Sequence, residues 1–253
     1  MKLSRALILA LAAAALTTSA LAETPVEQAA AAIAASQFAR AEDILAPLAQ
    51  NRRADPAIFY YLSLVRMAQR RNDEAVELAE RAMKADPAKI AYLDQMGTAC
   101  SARIAEVGAI EGNSLALKMR KAYEKCLSID PNYLPALKGM INFYEHAPDM
   151  VGGSLRKAGE YAERLRKVYP YQGELELGRL AAGANKFEVA LAHYEAATKL
   201  KPDDLATAAA CGWTLLHLGR KDEARERFQG VLRVDPNFGP AKMGLAEAAP
   251  AAH

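Results

Sequence analysis

The spacing of prolines constrains this chain more than any other feature. Pro202 and Pro236 lie 34 residues apart, and the stretches they close, residues 171–202 and 205–236, align position by position. Gly212, Ala224 and Phe228 precede Pro236; Gly178, Ala190 and Tyr194 stand at the same offsets before Pro202. A period in this range is the mark of a solenoid of stacked helical units, because one unit cannot bury its apolar face alone. Proline lacks a backbone N–H and disfavours helix in the residue before it, so the last unit's second helix is expected to stop at Asp235 or earlier. Gly212 and Ala224 are read as small because two helix backbones cross there, with Phe228 filling the space one turn later.

Earlier closures fall at Pro56, Pro87, Pro131 and Pro170, at spacings of 31, 44 and 39, then 32 to Pro202. Six units follow: 24–56, 57–88, 89–132, 133–170, 171–203 and 204–237. The spacing of 44 places extra residues in Ser101–Asn113, and that of 39 requires a longer turn at His146–Gly153. Unit three departs most, with Met119 where the alanine belongs, while Tyr123 and Cys126 stay in register. The turn before the second helix has its own echo, in Gly219–Ala224, Arg70–Ala75, Asn185–Ala190 and Ser36–Ala41. A short apolar helix near Ala241–Ala248 is expected to cap the stack, since a terminal unit has no neighbour to cover it.

Small residues in both helices, an aromatic in the second and a closing proline make the chain resemble the tetratricopeptide repeat family. That resemblance implies an all-α fold: a right-handed superhelix of about six helix-turn-helix units over residues 23–250, with a short C-terminal cap at 238–250. It also implies that the first helix of each unit lines the concave side. The family register places Tyr60, Leu64 and Met67 of unit two there, Lys138, Asn142 and Glu145 of unit four, and Gln172, Leu175 and Arg179 of unit five. Trp213, Leu216 and His217 of unit six follow. A narrower likeness rests on Lys118–Lys125 running into Asp130-Pro131, then Phe143-Tyr144, Ala147-Pro148 and Gly152-Gly153. These resemble a largely uncharacterised group of exported bacterial tetratricopeptide repeat proteins, and imply fold and export rather than an activity.

Residues 1–22 read as a secretory signal: basic Lys2 and Arg5, an apolar run over Ala6–Leu16, and an A-x-A site at Ala20-Leu21-Ala22, cut after Ala22. The run is short against the ~20 residues a spanning helix needs. The residue directly after the cut is Glu23, not a cysteine, and no later segment is apolar enough to span. The expected location is the periplasm. Removing Lys2 and Arg5 leaves 30 basic against 30 acidic residues. That balance argues against nucleic acid, whose affinity comes from a basic surface.

Cys100 and Cys126 fall in the two helices of unit three and either pair in an oxidising compartment or act as small buried hydrophobes, with Cys211 left over. The four histidines, His146, His193, His217 and His253, are scattered, and no metal-binding motif contains them. Gly152-Gly153-Ser154 lacks the full G-x-S-x-G pattern and a preceding strand, so Ser154 is read as a helix N-cap. No catalytic residue, metal or cofactor is expected. The reading is a non-enzymatic periplasmic scaffold holding a protein or peptide in its concave groove. The alternative is a solute-binding component associated with a transporter, with the segments 101–113 and 146–153 shaping a pocket.

Overall fold

The computed structural model describes residues 23–51 and 54–249, and the signal-like segment 1–22 lies outside them. The described residues form helices and turns only. The first two units are α1 (Pro25–Ala34) with α2 (Phe38–Leu48), and α3 (Pro56–Ala68) with α4 (Asn72–Ala85). Next come α5 (Ile90–Ile104) with α6 (Ala109–Ile129), and α7 (Leu134–His146) with α8 (Leu155–Val168). The last are α9 (Pro170–Gly183) with α10 (Phe187–Leu200), α11 (Leu205–His217) with α12 (Lys221–Val234), and a closing α13 (Gly239–Glu247). The chain is an α-solenoid of helix-turn-helix units.

Local chemistry sets the helix starts. Thr24 and Glu27 form a capping box on α1: the Thr24 hydroxyl accepts from the Glu27 N–H at 3.2 Å, and the Glu27 carboxylate accepts from the Thr24 N–H at 2.8 Å. Asp55 and Asp204 accept from the Ala57 and Ala206 N–H groups at the starts of α3 and α11. Ser154 caps α8, its hydroxyl accepting from the Lys157 N–H. Four prolines stand as expected, with Pro87, Pro131, Pro202 and Pro236 in the turns after second helices. Pro56 and Pro170 instead open α3 and α9 at the first helical position, where the missing N–H costs nothing.

The turn inside a unit repeats in backbone as well as in sequence. Ser36, Arg70, Asn185 and Gly219 all take a left-handed conformation, with φ of 58°, 59°, 56° and 74°. Only glycine enters this region without steric cost. Arg70→Gly is therefore expected to stabilise the chain by about 0.5–1 kcal/mol, read from urea unfolding followed by circular dichroism.

One expectation is corrected. The small residue at Gly212 does not mark a crossing with Ala224: a Cβ there would lie 2.6 Å from the Phe228 ring. The glycine clears the aromatic of the second helix, as Gly178 does for Tyr194. Two rings are held from both sides. Tyr123 on α6 lies between Gly97 of α5 and Gly139 of α7, and Phe228 on α12 between Gly212 of α11 and Gly244 of α13. The extra residues expected at 101–113 fall at the junction of α5 and α6. They finish α5, turn at residues 105–108 and begin α6, which reaches 21 residues. The turn at 146–153 is long as expected, with a 3-10 segment at Asp149–Val151 and Gly152 at φ 103°.

The layers follow from which helices touch. Several first helices of successive units meet directly, α1 with α3, α3 with α5, α5 with α7 and α11 with α13, whereas among the described residues second helices make no comparable contacts with one another. The stack therefore curves with the first helices inside. Buried side chains run along the seam between layers, from Leu45 and Val65 through Met96, Met140 and Leu165 to Phe228.

Candidate functional site

On this inner layer the repeat register sends side chains of α7 and α9 toward one another. Lys138, Asn142 and Arg179 line one cleft of about 380 Å³, together with Pro135, Glu176 and Tyr123. All three of the residues named from the sequence are exposed. Arg179 is the hub: its Nη1 meets the Glu145 carboxylate at 2.6 Å and its Nε donates to Glu176 at 2.9 Å. Lys138 approaches Glu176 from the other side at 3.7 Å. Burial opposes the charge on Arg179, and hydrogen bonds to Glu145 and Glu176 outweigh it and raise its pKa. The cleft thus pairs two cations with two carboxylates, and Asn142 adds an amide able to donate and accept.

The other expected concave residues are apart from this cleft. Tyr60 belongs to a tyrosine cluster nearer the N-terminal end, with ring centroids 4.9 Å from Tyr61 and 5.4 Å from Tyr92. Trp213 is half-buried, edge-on to Phe228 at 5.7 Å, and packs in the same apolar cluster as Phe238 and Leu245. His217 is exposed and stacks on Phe187 with centroids 4.5 Å apart and planes 5° from parallel.

Three residues escaped the sequence reading, two of them in the cleft. Glu176 lies on α9 one turn before Arg179. Tyr123 belongs to a second helix, yet its ring passes between Gly97 and Gly139 and reaches the cleft; burial pushes its phenol up to about 12. The two flanking glycines are the signal that could have found it. Asp94 on α5 is the third. Its Oδ2 accepts a hydrogen bond from the Tyr133 hydroxyl at 3.1 Å, and its Oδ1 is buried without a hydrogen-bond partner. Burial raises the Asp94 pKa, with Tyr133 opposing. A folded-state pKa above the unfolded one means that Asp94 favours folding most below the ordinary carboxylate range. This contribution is lost as pH rises through the folded value. Asp94→Asn should therefore melt higher than the wild type at pH 7, and the two melting curves should converge as the pH falls to about 3.5.

Cys100, Cys126 and Cys211 are free and buried, so the pairing of Cys100 with Cys126 is not made. Burial pushes the Cys100 and Cys126 thiols up to about 12, away from the thiolate that reacts. Among the described residues no three histidine, cysteine, aspartate or glutamate side chains gather to hold a metal ion, and no helix is long and apolar enough to cross a membrane.

Paired helices stacked through a glycine–aromatic seam, with a polar cleft on the inner layer, make an α-solenoid similar to that of tetratricopeptide repeat proteins. The sequence model of the tetratricopeptide repeat matches residues 181–248. No curated protein matches the chain in sequence. Solved structures share the fold at low identity. A thermophilic tetratricopeptide repeat protein of Thermus thermophilus is 17% identical with a TM-score of 0.58, over 76% of this chain and 97% of that one. The pilF protein of Pseudomonas aeruginosa is 11% identical with a TM-score of 0.63, over 88% and 96%. A human IFIT1 dimer with PPP-AAAA is 19% identical with a TM-score of 0.67, over 88% of this chain and 53% of that one, so this chain matches about half of IFIT1.

Proposed function

We propose that the chain is a non-catalytic scaffold of the bacterial periplasm that holds a segment of a partner protein in the cleft between α7 and α9. One observation carries the reading: Lys138, Asn142 and Arg179, from two different units, meet around a single cleft with Glu176 and Tyr123, and Glu145 pairs with Arg179. An extended peptide offers alternating N–H and C=O groups, and this set answers both: Asn142 and the cations donate, the glutamates accept. Binding would exchange part of the Arg179–Glu145 and Lys138–Glu176 pairing for contacts to the partner, so little bare charge is left uncompensated in the empty cleft. IFIT1 with PPP-AAAA is a reminder that this architecture alone does not select a ligand class. Here the cations of the cleft are already matched by carboxylates, which suits a peptide better than a polyanion. Export rests on the signal-like residues 1–22, and mass spectrometry of the protein from an envelope fraction should find it starting at Glu23.

The test is capture in living cells. A photoreactive residue at Asn142 should crosslink one dominant partner, and changing Lys138, Asn142 and Arg179 together to alanine should weaken binding of that partner at least about tenfold. Unchanged affinity in the triple variant overturns the assignment. The solute-binding alternative placed a pocket at 101–113 and 146–153, and neither segment lines this cleft.

A further inference from the structure

The outer layer carries a second groove, unrelated to the cleft above. It lies between α4 and α6, the second helices of units two and three, with α5 as its floor, and has a volume of about 500 Å³. Leu93 and Met96 form the base and Met83 and Ala122 the lower walls. Methionine suits such a surface, since its unbranched, polarizable side chain adapts to varied apolar partners. The rim is cationic. Lys84 stands on α4, and Lys118, Lys121 and Lys125 stand along α6. Their aliphatic stems extend the apolar wall while the ammonium groups sit at the edge. One carboxylate, Glu80, pairs with both Lys84 at 2.6 Å and Lys118 at 2.9 Å. Lys121 and Lys125 are exposed and have no ion-pair partner among the described residues. About three turns beyond Lys118, Ile129 returns to the same face of α6 and is 41% exposed.

We propose that this groove docks an acidic amphipathic helix of a partner protein, its apolar side chains over Met83 and Ile129 and its carboxylates against Lys118, Lys121 and Lys125. Charge complementarity selects the occupant. Four lysines against one glutamate leave an unbalanced positive rim over an apolar base. The arrangement of charge selects the shape. Lys118, Lys121 and Lys125 follow the i, i+3, i+7 spacing and extend about 10 Å along α6. Carboxylates at the same spacing on a second helix laid alongside meet all three. A single lipid headgroup meets only one. The apolar face of such a helix reads as i, i+3, i+4 and i+7 anchors in a groove.

The probe is a fluorescent peptide of about 15 residues, long enough to form an amphipathic helix on docking, with leucines on one face and glutamates flanking them. A second peptide has glutamine at every glutamate. Titrated against the full-length protein, the glutamate peptide should bind saturably and the glutamine peptide at least about tenfold more weakly. The double variant Lys121→Glu, Lys125→Glu alters only exposed side chains, and circular dichroism checks that it folds. It should lose the glutamate peptide by at least about tenfold. The Lys138, Asn142, Arg179 alanine triple should bind it as the wild type does, which separates this groove from the inner cleft. A photoreactive leucine analogue at the peptide's centre should label α4 or α6. Equal binding of the two peptides, unchanged affinity in the lysine double variant, or labelling of α7 and α9 instead would overturn the proposal. So would capture of anionic phosphatidylglycerol vesicles with no saturable binding of the peptide.

Discussion

Phe228→Ala is expected to lower the unfolding free energy by about 3–5 kcal/mol, the range for deleting a fully buried aromatic. The cost of such a deletion depends on how well the surroundings collapse into the space. Here they are poorly placed to do so. Phe228 has no exposed surface, its ring faces are covered by Gly212 and Gly244, and Trp213 meets it edge-on. Neither glycine has a side chain to rotate into the hole. Among the described residues the seam between α12 and α13 is also the last of the stack, where α13 packs on α11 and α12. The loss should therefore be uneven along the chain. Hydrogen exchange should accelerate most in α11 to α13 and least in α3 to α6. A loss below about 1 kcal/mol, or exchange that rises equally everywhere, would mean that the glycine–aromatic seam is not what couples the C-terminal unit to its neighbours.

The same seam shows how far the sequence could be read. The period of glycine, alanine, aromatic and proline was legible because each unit solves one packing problem in one way, so the solution recurs in the letters. Its physical meaning was less so: the glycine at 212 spares an aromatic ring rather than a backbone, which only the third dimension decides. Pro56 and Pro170 look like the other prolines in the spacing count, yet a proline tolerated just after one helix is equally tolerated as the first residue of the next. The residues added at 101–113 were legible as extra and not as helix, because length alone does not separate a loop from another helical turn. Lys138, Asn142 and Arg179 could be named together from the sequence because concave positions follow the register along first helices, and the three line one cleft. Tyr123 was hidden because its backbone belongs to the other layer. The carboxylates that hold Arg179 come from α7 and α9, and Glu176 was missed because it falls between the register positions.

Gly173→Ala should be more damaging than any other glycine-to-alanine change in an inner helix, costing more than about 3 kcal/mol, at the upper end of overpacking effects. Helix propensity points the other way, since alanine is favoured over glycine inside a helix by about 1 kcal/mol. Sterics outweigh it. Between α8 and α9 only Tyr169 intervenes, and the hairpin is so tight that a Cβ on Gly173 would overlap Arg166 at both its Cα and its backbone nitrogen. At Gly139 the obstacle is a side chain, the Tyr123 ring packed between Gly97 and Gly139. At Gly173 it is main chain, and relief requires the two helices to separate. Separation would strain the pair between Arg166 and Glu174, 3.3 Å apart, and the 2.7 Å contact of Glu174 with His193. It would also shift α9, which carries Glu176 and Arg179, against α7, which carries Lys138 and Asn142. Gly173→Ala should thus lose both stability and binding of the partner captured at Asn142, whereas Gly139→Ala should cost about 1–3 kcal/mol. Urea unfolding of the two variants side by side decides it. If Gly173→Ala proves as stable as Gly139→Ala, the α8–α9 hairpin opens cheaply, and the cleft that it positions is a flexible one.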